Sequence, residues 1–474
     1  MTISSHGFAP VARPVCLLAS LLWSASAQGS GHVLLQSDAS VHGAEESEFV
    51  WKSVYLDDVN GDGIGDFAVG SPQFGGGTEN GKIYVVFGSE SIRPMGTDLA
   101  TSDASYVAEA VGDYAGGAID AAGDIDGDGY ADIIIAASEN DEAAIAAGKV
   151  YLVFGRAAPW DVDVSLSEVD SSFLGVNTGD SIGGAVAGIG DVDGDGLDDI
   201  AFNSSGNGLA CVFFGDETRP WTGTSFESAD ASMVGYANED AGWPLAGGDD
   251  INGDGYDDFV VGSRAYNHDQ GRVRIVLGKP TGWTTMSPPA EADGYYRGEA
   301  QGDQFGGKMA MVGDLNGDGL ADLAFGAPHN NDGGSSAGKV YILFGRNQGW
   351  AANGEISTEA DVVFVGEAAG DGGAWVGPAG DVNNDSYADL MVGASGNDEA
   401  GTIAGQAYLI LGRSRGWPSG STLAESDASL LGEFAYDHMG YHPNGGDLDG
   451  DGYSDILVAA KENDTYGQDT GQIY

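Results

Sequence analysis

An acidic nine-residue string recurs seven times along the 474-residue chain, and no other feature constrains the fold as strongly. It begins at Asp58 (DVNGDGIGD), Asp124 (DIDGDGYAD), Asp191 (DVDGDGLDD), Asp250 (DINGDGYDD), Asp314 (DLNGDGLAD), Asp381 (DVNNDSYAD) and Asp447 (DLDGDGYSD). Successive strings start 66, 67, 59, 64, 67 and 66 residues apart. A long, nearly constant period marks a ring or array of similar units, none able to bury its apolar face alone.

Each unit holds more than the string. In the fifth, a small-residue run (GGKMAMVG, 306–313) precedes it and LAFGAP (323–328) follows. Then come a polar loop, GKVYILFG (338–345), a turn ending in Trp350, and DVVFVGE (361–367). These four segments are short, rich in β-branched or aromatic residues, and bounded by Gly, Asn, Asp and Pro. None has a helical period, so four strands are predicted per unit. Seven units of four antiparallel strands describe an all-β, seven-bladed β-propeller. The small residues of the first strand suit the crowded ring axis.

The register of the ends predicts how the ring closes. SDASVHG (37–43) matches the fourth-strand segment SDASLLG (426–432), and GQIY (471–474) matches a third strand. The N-terminal segment is therefore expected to supply the outer strand of the last blade. The propeller is assigned to residues 28–474. Residues 1–27 read as a secretory signal, with Arg13, the apolar run VCLLASLLW (15–23) and small residues at 25–27. A buried N-terminal helix is the alternative. After cleavage Cys211 would be the one cysteine left, so an extracellular chain would lack intrachain disulfides.

The strings add to a strongly acidic chain. With 18 Lys+Arg against 73 Asp+Glu the formal charge is −55. Such a surface repels nucleic acid and anionic membranes and favours cations. The 42% hydrophobic and 9% aromatic content still permits a core. No segment after residue 27 reads as membrane-inserting.

In each string, positions 1, 3, 5 and 9 offer side-chain oxygens and position 7 a backbone carbonyl. The side-chain donors are Asp58, Asn60, Asp62 and Asp66; Asp124, Asp126, Asp128 and Asp132; Asp191, Asp193, Asp195 and Asp199; and Asp250, Asn252, Asp254 and Asp258. The later strings supply Asp314, Asn316, Asp318 and Asp322; Asp381, Asn383, Asp385 and Asp389; and Asp447, Asp449, Asp451 and Asp455. The carbonyls belong to Ile64, Tyr130, Leu197, Tyr256, Leu320, Tyr387 and Tyr453. Hard oxygens around a flexible loop suit Ca²⁺; Mg²⁺ demands stricter octahedral geometry, and Zn²⁺ favours His or Cys. An EF-hand is excluded, because position 12 is Val69, Ile135, Phe202, Val261, Phe325, Val392 or Val458, inside a strand rather than a Glu. A solvated Asx turn without metal is the alternative. The sixth string replaces both glycines with Asn384 and Ser386, and its site is expected to be the weakest. At roughly 1 mM calcium and a Kd of about 10⁻⁴ M, each site would add about 1.4 kcal/mol, and seven about 10 kcal/mol. Seven divalent ions would take the charge from −55 to −41. Up to seven calcium ions are thus expected, as structural braces.

The repeat resembles a known family. Phe305-Gly306 followed by Gly326-Ala327-Pro328 spells the FG-GAP repeat of integrin α-subunit propellers, and VGSP (69–72), IAAS (135–138) and VGAS (392–395) vary it. The resemblance implies a seven-bladed propeller with calcium in the loop between the first two strands of certain blades, which falls on the same Asp and Asn residues. It also implies that ligands meet the opposite face, here loops such as 298–307 and 327–338. No leg or inserted domain is expected, so the resemblance implies the adhesive head rather than integrin signalling.

Other candidates are weaker. GDSIG (179–183) fits a nucleophile elbow, but GDYAG (112–116) and GDQFG (302–306) show it to be repeat structure. No HExxH motif occurs among the seven histidines, which are expected at the surface or in loops. Trp160, Trp221, Trp283, Trp350 and Trp417 recur after the third strand and are expected to plug each blade. Trp243, Trp375, Tyr436 and Tyr441 vary between blades and are the better ligand candidates. Cys211 is expected to be buried. The reading is a secreted or surface calcium-binding propeller, monomeric and without catalysis, that binds an extracellular protein or glycan. The competing class is an extracellular hydrolase or lyase with a site over the central channel.

Overall fold

In a computed structural model, the structure describes residues 33–34, 37–45, 47–74, 80–91, 93–169, 171–218, 221–235, 240–286, 292–417 and 419–474. The expected signal segment, 1–27, lies outside them.

Seven small sheets form seven blades. Their first strands are Lys52–Asp57, Ala118–Gly123, Ile182–Gly190, Ala241–Asp249, Lys308–Met311, Trp375–Gly380 and Met439–Gly446. Each touches the first strand of the next blade, and that of blade 7 touches that of blade 1, so the ring is closed. In blade 5, Lys308–Met311 runs antiparallel to Leu323–Ala327, with Met309 opposite Phe325. Lys339–Leu343 and Val362–Val365 continue outward, with Tyr341 opposite Phe325 and then Val363.

Second and third strands are buried on both sides. Asp66–Ser71 and Lys339–Leu343 have no exposed residue, because each lies between its own blade and the next. This is why they read as continuous apolar runs rather than alternating ones. One interface packs Ile83, Val85 and Tyr106 of blade 1 against Ile133, Ile135 and Tyr151 of blade 2. Burying a large apolar side chain contributes about 1.5–3 kcal/mol, so the interfaces carry most of the favourable energy.

The predicted four antiparallel strands are present, but each sheet has a fifth. It is short, parallel to the fourth strand, and comes from the following unit. Val164–Ser165 pairs with Ala104–Val107 of blade 1, and Ser419–Thr422 with Val362–Val365 of blade 5. The donated strand covers an edge that would otherwise expose unpaired backbone groups. A helical turn usually follows and buries its first residue: Leu99, Leu166, Phe226, Ile356 and Leu423.

Ring closure follows the predicted register and adds to it. Val41–His42 pairs antiparallel with Gln472–Ile473 as the fourth strand of blade 7. Val33–Leu34 pairs with Ala428–Leu431 as the fifth strand of blade 6. Two strands from the N-terminal segment therefore lock two different blades.

Candidate metal centres

The seven acidic strings form the turns between first and second strands, all at one end of the ring. In blade 1 the Asp58 carboxylate accepts from the backbone N–H groups of Gly61 (2.6 Å), Asp62 (3.1 Å) and Gly63 (2.7 Å). Asp62 accepts from Ile64 N at 3.0 Å. Asp66 begins the second strand; its Oδ2 accepts from Val59 N (3.0 Å) and its Oδ1 from Gly88 N (2.8 Å), the latter past the third strand. The chain thus curls over its own carboxylates, and the ninth Asp is pinned from two sides.

The two glycines serve different needs. Gly61 and Gly63 have φ of 79° and 86°, a region that side-chain-bearing residues resist. Around Gly63 there is open space, so only the dihedral matters. A Cβ on Gly61 would also lie 2.3 Å from the Tyr130 ring of blade 2. That contact recurs: the position-7 side chains Tyr256 and Tyr387 cover Gly194 and Gly317 of the preceding blade.

A backbone ring links the loops. The position-8 N–H donates to the position-1 carbonyl of the preceding blade at all seven junctions. The pairs are Ala131 to Asp58, Asp198 to Asp124, Asp257 to Asp191, Ala321 to Asp250, Ala388 to Asp314, Ser454 to Asp381 and Gly65 to Asp447, at 3.0–3.2 Å. The spacing within one string points to position 7 for its carbonyl; the cover by its side chain and the hydrogen-bonded ring arise from contacts between blades.

The electrostatics are unbalanced. Six of the seven position-9 carboxylates are fully buried and Asp455 is partly so. Burial pushes Asp132, Asp199 and Asp389 up to about 8, and Asp66, Asp258, Asp322 and Asp455 up to about 7, against the hydrogen bonds that favour the charged form. Among the described residues no Lys or Arg pairs with them. Ligand atoms of Asp124, Asp126 and Asp132 lie within 4.8 Å of one another, as do those of Asp191, Asp193 and Asp199, and of Asp447, Asp449 and Asp455. These are the loops with Asp at position 3. Where Asn stands there, Asn60 and Asn316 turn their amides toward Asp66 and Asp322 at 3.1–3.4 Å. Asn383 Oδ1 is buried with no hydrogen-bond partner. The position-5 carboxylates stand outside the three clusters. Converging carboxylates without a counter-charge, and an orphaned amide oxygen in the donor set, fit a hard divalent cation. In the sixth loop Asn384 and Ser386 take φ of 56° and 73°, the strained region the glycines occupy elsewhere.

The remaining candidates separate cleanly. Ser181 donates its hydroxyl to the Ala146 carbonyl (3.1 Å) in a turn with φ of 43°. Trp160, Trp283 and Trp417 pack on Phe87, Phe214 and Phe344 of the preceding blades with ring centres 5.6–5.7 Å apart. Trp221 lies against Phe173 (6.0 Å) and Trp350 joins the core between blades 4 and 5. Cys211 is buried and its thiol is pushed up to about 12. Two histidines depart from the surface or loop expectation among the described residues: His42 lies half-buried in a strand, and His442 sits in the ring mouth, 4.4 Å from Trp375. Trp243, Trp375 and Tyr441 all stand near the start of first strands, at the end away from the acidic loops. Tyr436 is exposed and lies apart from them, in the turn before blade 7. Counting back from each string would have found this ring, since Trp51-Lys52, Trp243-Pro244, Gly307-Lys308, Ala374-Trp375 and Gly440-Tyr441 all stand seven and six residues before it. Gly117-Ala118 and Gly184-Ala185 complete the series.

The FG-GAP repeat model matches residues 50–86, 115–153, 241–276, 306–343, 372–410 and 439–474. Blade 3, the shortest unit, lies between these matches. The chain is 31% identical over 204 residues to phosphatidylinositol-glycan-specific phospholipase D of Bos taurus, covering 41% of this chain and 23% of that protein. The Rattus norvegicus protein of the same name is 30% identical over 249 residues, covering 50% and 28%. Integrin alpha-IIb of Mus musculus is 30% identical over 233 residues, covering 47% and 21%. The matches span about a quarter of these relatives' own length. Among solved structures, "Structure of Dos1 propeller" aligns with a TM-score of 0.41 at 11% identity, over 78% of this chain and 71% of that one.

Proposed function

The chain is an FG-GAP repeat protein resembling the integrin α propeller, and on that premise we propose that it is a secreted or surface-exposed, calcium-braced module that binds a protein or glycan without catalysis. The observation that carries this reading is the set of seven position-9 carboxylates, six of them fully buried, with no cationic side chain paired to them among the described residues. Calcium there would neutralise charge that burial otherwise penalises, and would stiffen the hydrogen-bonded ring of loops. The donors would be positions 1, 3 and 9, with position 5 and the position-7 carbonyl completing the shell. Extracellular calcium is abundant enough for weak sites to fill. Among the described residues no helix is long and apolar enough to cross a membrane.

The phospholipase relatives are enzymes by name, but the match covers about a quarter of their length. The nearest thing to a nucleophile here, Ser181, spends its hydroxyl on a backbone carbonyl. Binding therefore remains the better-supported reading. Elemental analysis of folded, secreted protein tests the metal; calcium near seven per chain is expected, and folded material free of it would refute the brace. A screen on glycan and surface-protein arrays, with calcium and with chelator, tests the binding role. A calcium-dependent hit is expected; none on either array would count against it.

A further inference from the structure

The ring mouth opposite the acidic loops gathers the opposite chemistry. Lys308 Nζ stands 3.1 Å from the centre of the Trp375 ring. Trp375 also touches Tyr441 (4.7 Å) and His442 (4.4 Å), and Trp51 lies 5.7 Å and 6.1 Å from the same two rings. Lys461 Nζ lies 4.8 Å from the Tyr441 ring and 5.3 Å from that of Trp51. Blades 5, 6, 7 and 1 thus contribute a continuous arc of cations and aromatic faces, while blades 2 and 3 leave Gly117-Ala118 and Gly184-Ala185 at the same height.

Lys308 is the anomaly. Acidic residues outnumber basic ones by 73 to 18, yet among the described residues its ammonium has no carboxylate and no hydrogen-bond acceptor. Other lysines do: Lys82 meets Asp163, Lys149 meets Glu109, Lys339 meets Glu299 and Lys461 meets Glu462. Burial, then Arg264 and Lys52, push Lys308 down to about 7. The same mouth holds His442, whose Nε2 is buried without a partner. Burial, Lys52 and Lys308 hold that imidazole well below its usual range, so it is neutral at pH 7 and free to give or accept one hydrogen bond.

We propose that this mouth binds a carboxylated sugar, whose carboxylate engages Lys308 while its ring lies on the Trp51–Trp375–Tyr441 arc and a hydroxyl meets His442. The inference rests on the ligand-binding reading and gives it a site. One ligand class satisfies all three unpaired features: an anion for the lysine, an apolar C–H face for the aromatic rings, and a neutral hydroxyl for the imidazole. An acidic peptide supplies the first and lacks the others. A densely charged polyanion is opposed by the −55 formal charge of the chain. The carboxylate gives Lys308 the charge-assisted partner that Lys82, Lys149, Lys339 and Lys461 already have.

The test is titration of the full chain in calcium buffer, followed by tryptophan fluorescence. The probes are a galacturonate trimer, the uncharged galactose trimer and an Asp/Glu-rich hexapeptide. The acidic trimer should bind at least tenfold more tightly than the other two. Lys308→Met should weaken it at least tenfold, and Trp375→Phe should remove most of the fluorescence response. Lys279→Met, a control beside Trp283, should change neither. Equal binding of the neutral trimer, tighter binding of the peptide, or an affinity indifferent to Lys308→Met overturns the assignment. An array ligand indifferent to Lys308→Met would overturn this site and leave the module reading standing; the absence of any array ligand would remove both.

Discussion

The two ends of the first strands teach different things. At one end seven loops repeat one backbone pattern, with like charges held together by backbone N–H groups and a ring of seven inter-blade hydrogen bonds. At the other end the equivalent positions diverge, from glycine and alanine on blades 2 and 3 to lysine, tryptophan and tyrosine on blades 5, 6 and 7. Repetition marks what every blade needs in order to stand beside its neighbours. Departure from repetition marks what one molecule does that its repeat does not require. On the proposed reading the first end bears on stability and the second on recognition, a division that measurement can break.

The largest effect should come from removing metal. Seven sites at about 1.4 kcal/mol each sum to about 10 kcal/mol at millimolar calcium, as large as a typical whole folding free energy. Chelation should lower the melting temperature by roughly 10 °C or more. Scanning calorimetry with calcium and with EDTA checks this. An unchanged melt would mean that the acidic loops do not brace the ring.

Next in size is a pH dependence with a definite sign. The position-9 carboxylates sit at about 7 to 8 in the folded chain, above the unfolded value of about 3.9. A raised folded pKa gives stability that is complete below the unfolded value and is lost as pH rises through the folded one. Metal-free protein should therefore melt several degrees lower at pH 8 than at pH 5. Saturating calcium should cancel or reverse the trend, because the metal takes the deprotonated carboxylate. Melting curves at both pH values, with and without calcium, decide it. A metal-free chain that is more stable at pH 8 would contradict the burial of these groups.

A third effect isolates the contact between loops. Gly317→Ala meets both an unfavourable φ of 76° and the Tyr387 ring at 2.3 Å, whereas Gly319→Ala meets only φ of 88° in open space. Alanine in the left-handed region costs about 1–2 kcal/mol. Gly319→Ala should show that cost alone and Gly317→Ala about 1–3 kcal/mol more, read from urea midpoints at constant slope. Equal losses would mean that the tyrosine yields freely and the loops are not coupled through it.

How much of this was legible follows the same division. The propeller, the position-12 strands, the closure by residues 37–43 and the grouping of carboxylates all follow from a period and from spacing within one string. The fifth strand was not legible, because a two-residue segment such as Val164–Ser165 has no periodicity to read and pairs only with a neighbour brought close by folding. Lys308 was missed for a related reason. A single lysine beside Gly307 carries no pattern of its own; its meaning comes from Trp375, one unit later in the chain, and from partners it lacks. His442 sounded like a loop histidine until the ring set it against two tryptophans.

The smallest effect tests the one loop that departs from the repeat at the regular end. Ser386 holds φ of 73° and Asn384 56°, where the other loops use glycine. Asparagine tolerates that region better than serine, so most of the strain should lie at Ser386. Ser386→Gly should relieve about 1 kcal/mol and tighten one calcium site about fivefold, seen by calorimetric titration as a weak class of site merging with the rest. The gain will be partly offset, since glycine also loosens the unfolded chain. Ser386 lies in the loop that follows the strand Trp375–Gly380, so the same variant asks whether the two ends are independent. If they are, tryptophan emission and the response to the acidic trimer will be unchanged while calcium affinity rises. A shift in both would show that strain in this loop is transmitted along Trp375–Gly380 to the mouth, and that the irregular loop belongs with the recognition end rather than with the brace.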